Sequence, residues 1–121
     1  MIDLSLQHGA RAWPRVRIPA TARVIKHHID LGLFQIDNLS AGGALLMECP
    51  DIPTGTDLTL ILKLPLHPEI TLEAKVVRTE NNAQHHISIG VAFHNIDNYT
   101  EDLIHDVVLA YLEDLHEQQL P

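Results

Sequence analysis

Cysteine, aromatic residues, positive charge and long apolar runs are all scarce in this chain of 121 residues. Cys49 is the only cysteine, which excludes an internal disulfide and any cysteine-built zinc cage. A reducing cytosol is therefore the expected compartment, and a lone thiol reads as a small buried hydrophobe rather than a nucleophile. The longest apolar runs, such as Gly43 to Met47, fall far short of the ~20 residues of a membrane span. The opening Met1-Ile2-Asp3-Leu4-Ser5-Leu6-Gln7-His8 has neither the basic leader nor the apolar stretch of a signal peptide. Eight basic residues against 16 acidic ones give a formal charge of −8 and a pI near 5.4. So acidic a chain is poorly suited to coating a nucleic-acid polymer through its phosphates. What is present is 45% hydrophobic residues, 6 Gly and 7 Pro, enough apolar content for a core and length for one domain.

The charge is unevenly placed. Arg11, Arg15, Arg17, Arg23 and Lys26 put five of the eight basic residues within sixteen positions. The last quarter holds Asp97, Glu101, Asp102, Asp106, Glu113, Asp114 and Glu117, and no Lys or Arg follows Arg78. This polarity suggests a local cationic site on a protein that elsewhere repels polyanions, which suits a small anion. The plainer alternative is a set of arginines that are simply solvated.

Residues 1–19 have no sustained period, and Pro14 and Pro19 each remove a backbone donor, so this stretch reads as a flexible, extended arm. Residues 20–118 read as the single folded domain. Thr21 to Ile29 suits a strand, Gly32 a turn, and Leu33 to Asp37 a second strand. Asn38-Leu39-Ser40-Ala41-Gly42-Gly43 reads as a tight loop, and Ala44 to Glu48 as a short strand before the turn-rich Pro50, Pro53 and Gly55. Three alternations follow: Leu58, Leu60, Leu62, Leu64; then Ile70, Leu72, Ala74, Val76; then Ile87, Ile89, Val91, Phe93. Period two with one apolar face marks an antiparallel sheet that buries one side. Glu80-Asn81-Asn82-Ala83 suits the hairpin loop between the last two strands.

From about residue 98 the period changes. Leu103, Ile104, Val107, Val108, Tyr111, Leu112 and Leu115 form a helical apolar stripe, with Asn98 and Glu101 spaced as a capping box. The stripe packs on the sheet or forms a dimer seam. Six short strands and a terminal helix suggest a small β-barrel or rolled sheet with a helix against it.

Signatures of catalysis are thin. Gly42-Gly43 is not a dinucleotide fingerprint, Ser40 is not in a nucleophile elbow, and no carboxylate pair stands out. Among nine histidines, His27-His28 and His85-His86 are adjacent pairs. Strand neighbours point to opposite faces, so neither pair chelates alone; one from each pair with His94 or an acid is the metal alternative to ordinary surface histidines. The expectation is a protein that is not an enzyme and has no metal or cofactor.

The strongest constellation joins the arm to the loop. Arg11-Ala12-Trp13-Pro14-Arg15 sets two arginines four apart, and after twenty-two intervening residues comes Asn38-Leu39-Ser40-Ala41-Gly42-Gly43. Arg-x-x-x-Arg followed by Asp/Asn-x-Ser-x-x-Gly resembles the PilZ family, and Gly90-Val91-Ala92-Phe93 is similar to the end of that family's last barrel strand. By itself the loop is also what a plain tight turn looks like, since Asn, Ser and Gly favour turns for local reasons.

The resemblance implies a mainly β fold, a six-stranded antiparallel barrel with a C-terminal helix packed against it, that binds the bacterial second messenger cyclic di-GMP. It implies Arg11, Arg15, Asn38, Ser40 and Gly43 as ligand residues. The two arginines would hold guanine edges and phosphates, Asn38 and Ser40 would hydrogen-bond the same half of the ligand, and Gly43 would allow close approach and a dihedral that a β-carbon disfavours. The chemistry agrees, because an arginine fork matches both phosphate oxygens and the O6/N7 edge of guanine. Arg17 and Arg78 are second-rank contributors through long-range attraction. Trp13 would pack on the barrel or cover an apolar patch, and Ala10, in place of a further arginine, implies one ligand per domain.

The expectation is thus a stand-alone, cytoplasmic bacterial receptor, monomer or weak dimer, acting in motility or biofilm regulation. It would pass the signal to a protein partner when its arm orders on the ligand, with no nucleic-acid polymer and no membrane insertion. Two alternatives stand beside it: a PilZ-fold adaptor that works by protein contacts without the nucleotide, and a metal-dependent enzyme using the histidines.

Overall fold

The computed structural model describes residues 16–81, 84 and 86–119. Six strands and one helix follow in order: β1 (Thr21–Lys26), β2 (Ile29–Ser40), β3 (Gly43–Leu46), β4 (Asp57–Lys63), β5 (Ile70–Asn81), β6 (Ile87–His94) and α1 (Asn98–Gln119). The strands close into an antiparallel barrel in the order β1-β2-β3-β6-β5-β4. Closure leaves no free sheet edge where these ladders run and turns every strand's apolar alternation toward one interior. Leu60, Leu62, Leu64, Leu39, Leu46 and Ile89 are fully buried there, each contributing about 1.5–3 kcal/mol by leaving water.

The helix plugs this core rather than standing apart. Ile104, Val107 and Val108 join the barrel's own cluster, and Tyr111 and Leu112 pack against it. The side chain of Leu115, the last position of the apolar stripe, lies outside the described residues. The cap differs from the expected Asn98 and Glu101. Asp97 Oδ1 accepts the Thr100 amide at 2.7 Å, so Asp97 closes the first turn from the residue before it. Hydrogen bonds from the Thr100 hydroxyl and then its amide hold the Asp97 carboxyl below its ordinary value.

Three strand boundaries also differ from the alternation. β1 ends at Lys26, and His27 and His28, both at positive φ (49° and 66°), make a two-residue turn. Two left-handed central residues give the twist that two-residue hairpins prefer, and no Asn-Gly pair advertised it. Gly32 is inside β2, not a turn. It lies opposite Val24, where the register shifts, and its φ of 120° excludes most side chains. β2 then runs through Asn38 to Ser40, so only Ala41 and Gly42 connect it to β3. At the other hairpin Glu80 and Asn81 belong to β5; Asn82 and Ala83 lie outside the described residues.

Candidate functional site

The segment Asn38 to Gly43 is held from three sides. Within the turn, Ser40 Oγ accepts the amides of Gly42 (3.1 Å) and Gly43 (3.2 Å), and its hydroxyl reaches the Gly43 carbonyl at 3.4 Å. Ser40 is buried, and its hydroxyl is committed to closing its own hairpin.

The second side is β6. Gly42 O accepts the Phe93 amide at 2.9 Å, and Gly43 lies opposite Ala92. A β-carbon on Gly43 would stand 2.2 Å from the Val91 carbonyl oxygen, far inside van der Waals contact. The expected dihedral reason for this glycine is corrected by the structure: Gly43 is absent from the left-handed region, which holds Gly32 and Gly55. What demands glycine is the close approach of β3 to β6.

The third side is the chain entering the barrel. Val16 and Leu39 form a bridge, Val16 N to Leu39 O at 3.0 Å and Leu39 N to Val16 O at 2.9 Å. Val16 and Ile18 are buried in the core. Arg11, Trp13 and Arg15 lie outside the described residues, but the residue that follows Arg15 is fastened to the one between Asn38 and Ser40.

Strand irregularity decides which way Asn38 faces. Ile36 pairs with Leu46 and Asn38 with Leu45, so Asp37 is an extra residue. Ile36 points into the core; without the bulge Asn38 would do the same, and with it Asn38 turns to the outer surface. Asp37 carries an ion pair with Arg17, Nε to Oδ1 at 3.6 Å, and accepts a weak 3.4 Å bond from Asn38 Nδ2. Arg17, at 84% exposure, is thereby engaged beside the motif by a pair that solvent largely screens.

Other expected chemistry is placed elsewhere. A cleft of about 280 Å³ is lined by His27, His28, Asp57, Glu73 and His94 among others, and His94 Nε2 lies 3.7 Å from Asp57 Oδ1. Among the described residues, no group of three or more His, Cys, Asp or Glu is arranged to hold a metal. His85 lies outside them, and His86 Nδ1 is 3.2 Å from Glu48 Oε1. Burial pushes the Cys49 thiol up to about 12, leaving almost no thiolate at neutral pH. No helix among the described residues is long and apolar enough to cross a membrane.

Comparison with known proteins fits this geometry. The sequence model for the PilZ domain matches residues 10–110. The chain belongs to the PilZ domain family. That match contains both arginines, the hairpin motif and most of the helix, so this PilZ domain carries the family pattern along nearly its whole length. Among solved structures, YcgR from Escherichia coli in complex with c-di-GMP superposes with a TM-score of 0.78 at 13% identity, over 90% of this chain and 49% of its own. MotI/DgrA, the inhibitor of motility of Bacillus subtilis, gives 0.75 at 19% identity, over 87% and 52%. The PilZ domain of YcgR with c-di-GMP gives 0.66 at 13% identity, over 90% and 96%. The chain thus spans about half the length of the first two and nearly all of the third, and at these identities the likeness is one of fold. No curated protein matches the sequence.

Proposed function

We propose that this PilZ domain is a non-enzymatic cytoplasmic receptor for cyclic di-GMP. The observation that carries the proposal is the Val16–Leu39 bridge, which fastens the residue that follows the Arg11–Arg15 motif to the Asn38–Gly43 motif. Relatives of the same fold are described in complex with that nucleotide. Arg11 and Arg15 supply the forks for phosphate oxygens and guanine edges. Asn38, turned outward by its bulge, offers an amide to the guanine. Ser40 and Gly43 shape the platform: the hydroxyl of Ser40 is spent on its turn, and Gly43 lets the turn sit against β6. As the arm orders on the ligand, the surface offered to a protein partner changes.

Calorimetric titration with cyclic di-GMP, with GTP and cyclic GMP as controls, tests this. Each charge-assisted arginine contact is worth about 1.5–3 kcal/mol, so Arg15→Ala is expected to weaken binding by one to two orders of magnitude. A loss under about threefold contradicts the role given to Arg15. Absence of heat, and of any melting shift at high ligand, would turn the reading to an adaptor that works through protein contacts alone.

A further inference from the structure

β5 carries a second bulge, and it faces the first. Val76 pairs with Val91 and Arg78 with Gly90, so Val77 is the extra residue. Val76 and Val91 point into the core. Uninterrupted alternation would send Arg78 inward too; the bulge turns it to the outer surface. Gly90 in turn lies opposite Leu45, and Leu45 opposite Asn38. Arg78, Gly90, Leu45 and Asn38 therefore form one row across four strands, with a re-aimed polar residue at each end. Three strand spacings put the ends about 14 Å apart.

The Arg78 side chain is laid along that row. Its Cγ and Nε stand 2.9 and 3.0 Å from where a β-carbon of Gly90 would be, so it lies over its own cross-strand partner. Glycine at 90 is what leaves it that path. Nε is held by Glu80 Oε2 at 2.8 Å, which orients the guanidinium.

We propose that Arg78 is a third arginine of the nucleotide site, closing it from the end of the row opposite Asn38, with Glu80 as its positioning residue. Its terminal amines then donate to a phosphate oxygen or to the O6/N7 edge of a guanine, the two acceptor groups a guanidinium fork matches. The inference rests on the receptor reading above and extends it to a residue outside both motifs.

The test is titration of the whole chain and its Arg78→Ala, Arg78→Lys, Glu80→Gln and Arg15→Ala variants with cyclic di-GMP, at about 0.1 M and about 0.5 M NaCl. Arg78→Ala is expected to lose about tenfold in affinity at both salts, with an unchanged melting temperature. Arg78→Lys keeps the charge but not the fork and should still lose at least about threefold. Glu80→Gln should fall between wild type and Arg78→Ala. If Arg78→Ala stays within about twofold of wild type while Arg15→Ala is crippled, the third-arginine role is wrong and the receptor reading stands. Full rescue by lysine, or a loss that vanishes at high salt, would reduce Arg78 to long-range attraction and overturn the proposal. If wild type takes up no cyclic di-GMP, the receptor reading falls and this inference falls with it.

Discussion

Val16 and Leu39 exchange both of their backbone hydrogen bonds, at 3.0 and 2.9 Å, although they are far apart in sequence. This is the pairing of two directly opposed residues in an antiparallel ladder. It makes the entry of the described chain at Val16 a fixed neighbour of the β2–β3 hairpin.

Unfastening that bridge should loosen the site without opening the barrel. Val16→Pro removes the donor to the Leu39 carbonyl, a bond worth about 0.5–1.5 kcal/mol net. Cyclic di-GMP affinity is expected to fall about three- to tenfold while far-UV circular dichroism keeps the β signal. Unchanged affinity would show that the arm needs no anchor at Val16.

Ser40 is assigned to the hairpin, and its substitution should register before any ligand is added. Ser40→Ala strands two amides that Oγ now accepts, at a cost of about 1–3 kcal/mol where such groups are buried. Urea unfolding of the ligand-free variant is expected to show that loss. Wild-type stability combined with lost binding would instead place the hydroxyl on the ligand.

Gly43→Ala directs a methyl at the Val91 carbonyl oxygen. The strands must part, and overpacking of this kind costs about 1–3 kcal/mol. A lowered urea midpoint with protected β6 amides exchanging faster is the expected result. A variant as stable as wild type would mean that β3 and β6 shift apart without penalty.

The acid limb of stability should depend on Asp97. Its carboxyl titrates below its ordinary value because the ionised form accepts the Thr100 amide and hydroxyl. A depressed native value adds stability above the unfolded value, and this is lost as pH falls through the native one. Asp97→Asn keeps a cap but cannot titrate, so its acid unfolding curve should be shallower than that of wild type. Superimposable curves would contradict the assignment of the cap.

Much of the barrel could be read from the chain because its strands are regular where they are longest. Of the alternations Leu58 to Leu64, Ile70 to Val76 and Ile87 to Phe93, all but Ile70, Ile87 and Phe93 are buried in the interior, and those three pack half-buried against it. The helical stripe around Ile104, Val107 and Val108 packs on that interior as its spacing suggests. The errors fall where a local rule was displaced by twist and register. His27-His28 carries a turn without glycine, Gly32 serves a bulge, and Asp97 rather than its neighbour caps the helix.

The candidate site divides in the same way. Composition and spacing alone determined that a cluster of arginines precedes an Asn-x-Ser-x-x-Gly hairpin in an acidic chain, because charge and turn chemistry are local properties of residue types. Side-chain direction is not local. A single extra residue at Asp37 and another at Val77 reverse the parity of everything after them, and such a slip can be located only against the partner strand. Closure of the barrel decided the rest: it set Val16 beside Leu39, pressed Gly43 onto Val91, and aligned Arg78 with Asn38 through two intervening strands. Those neighbours are set by hydrogen-bond register between distant segments, which tertiary structure alone determines.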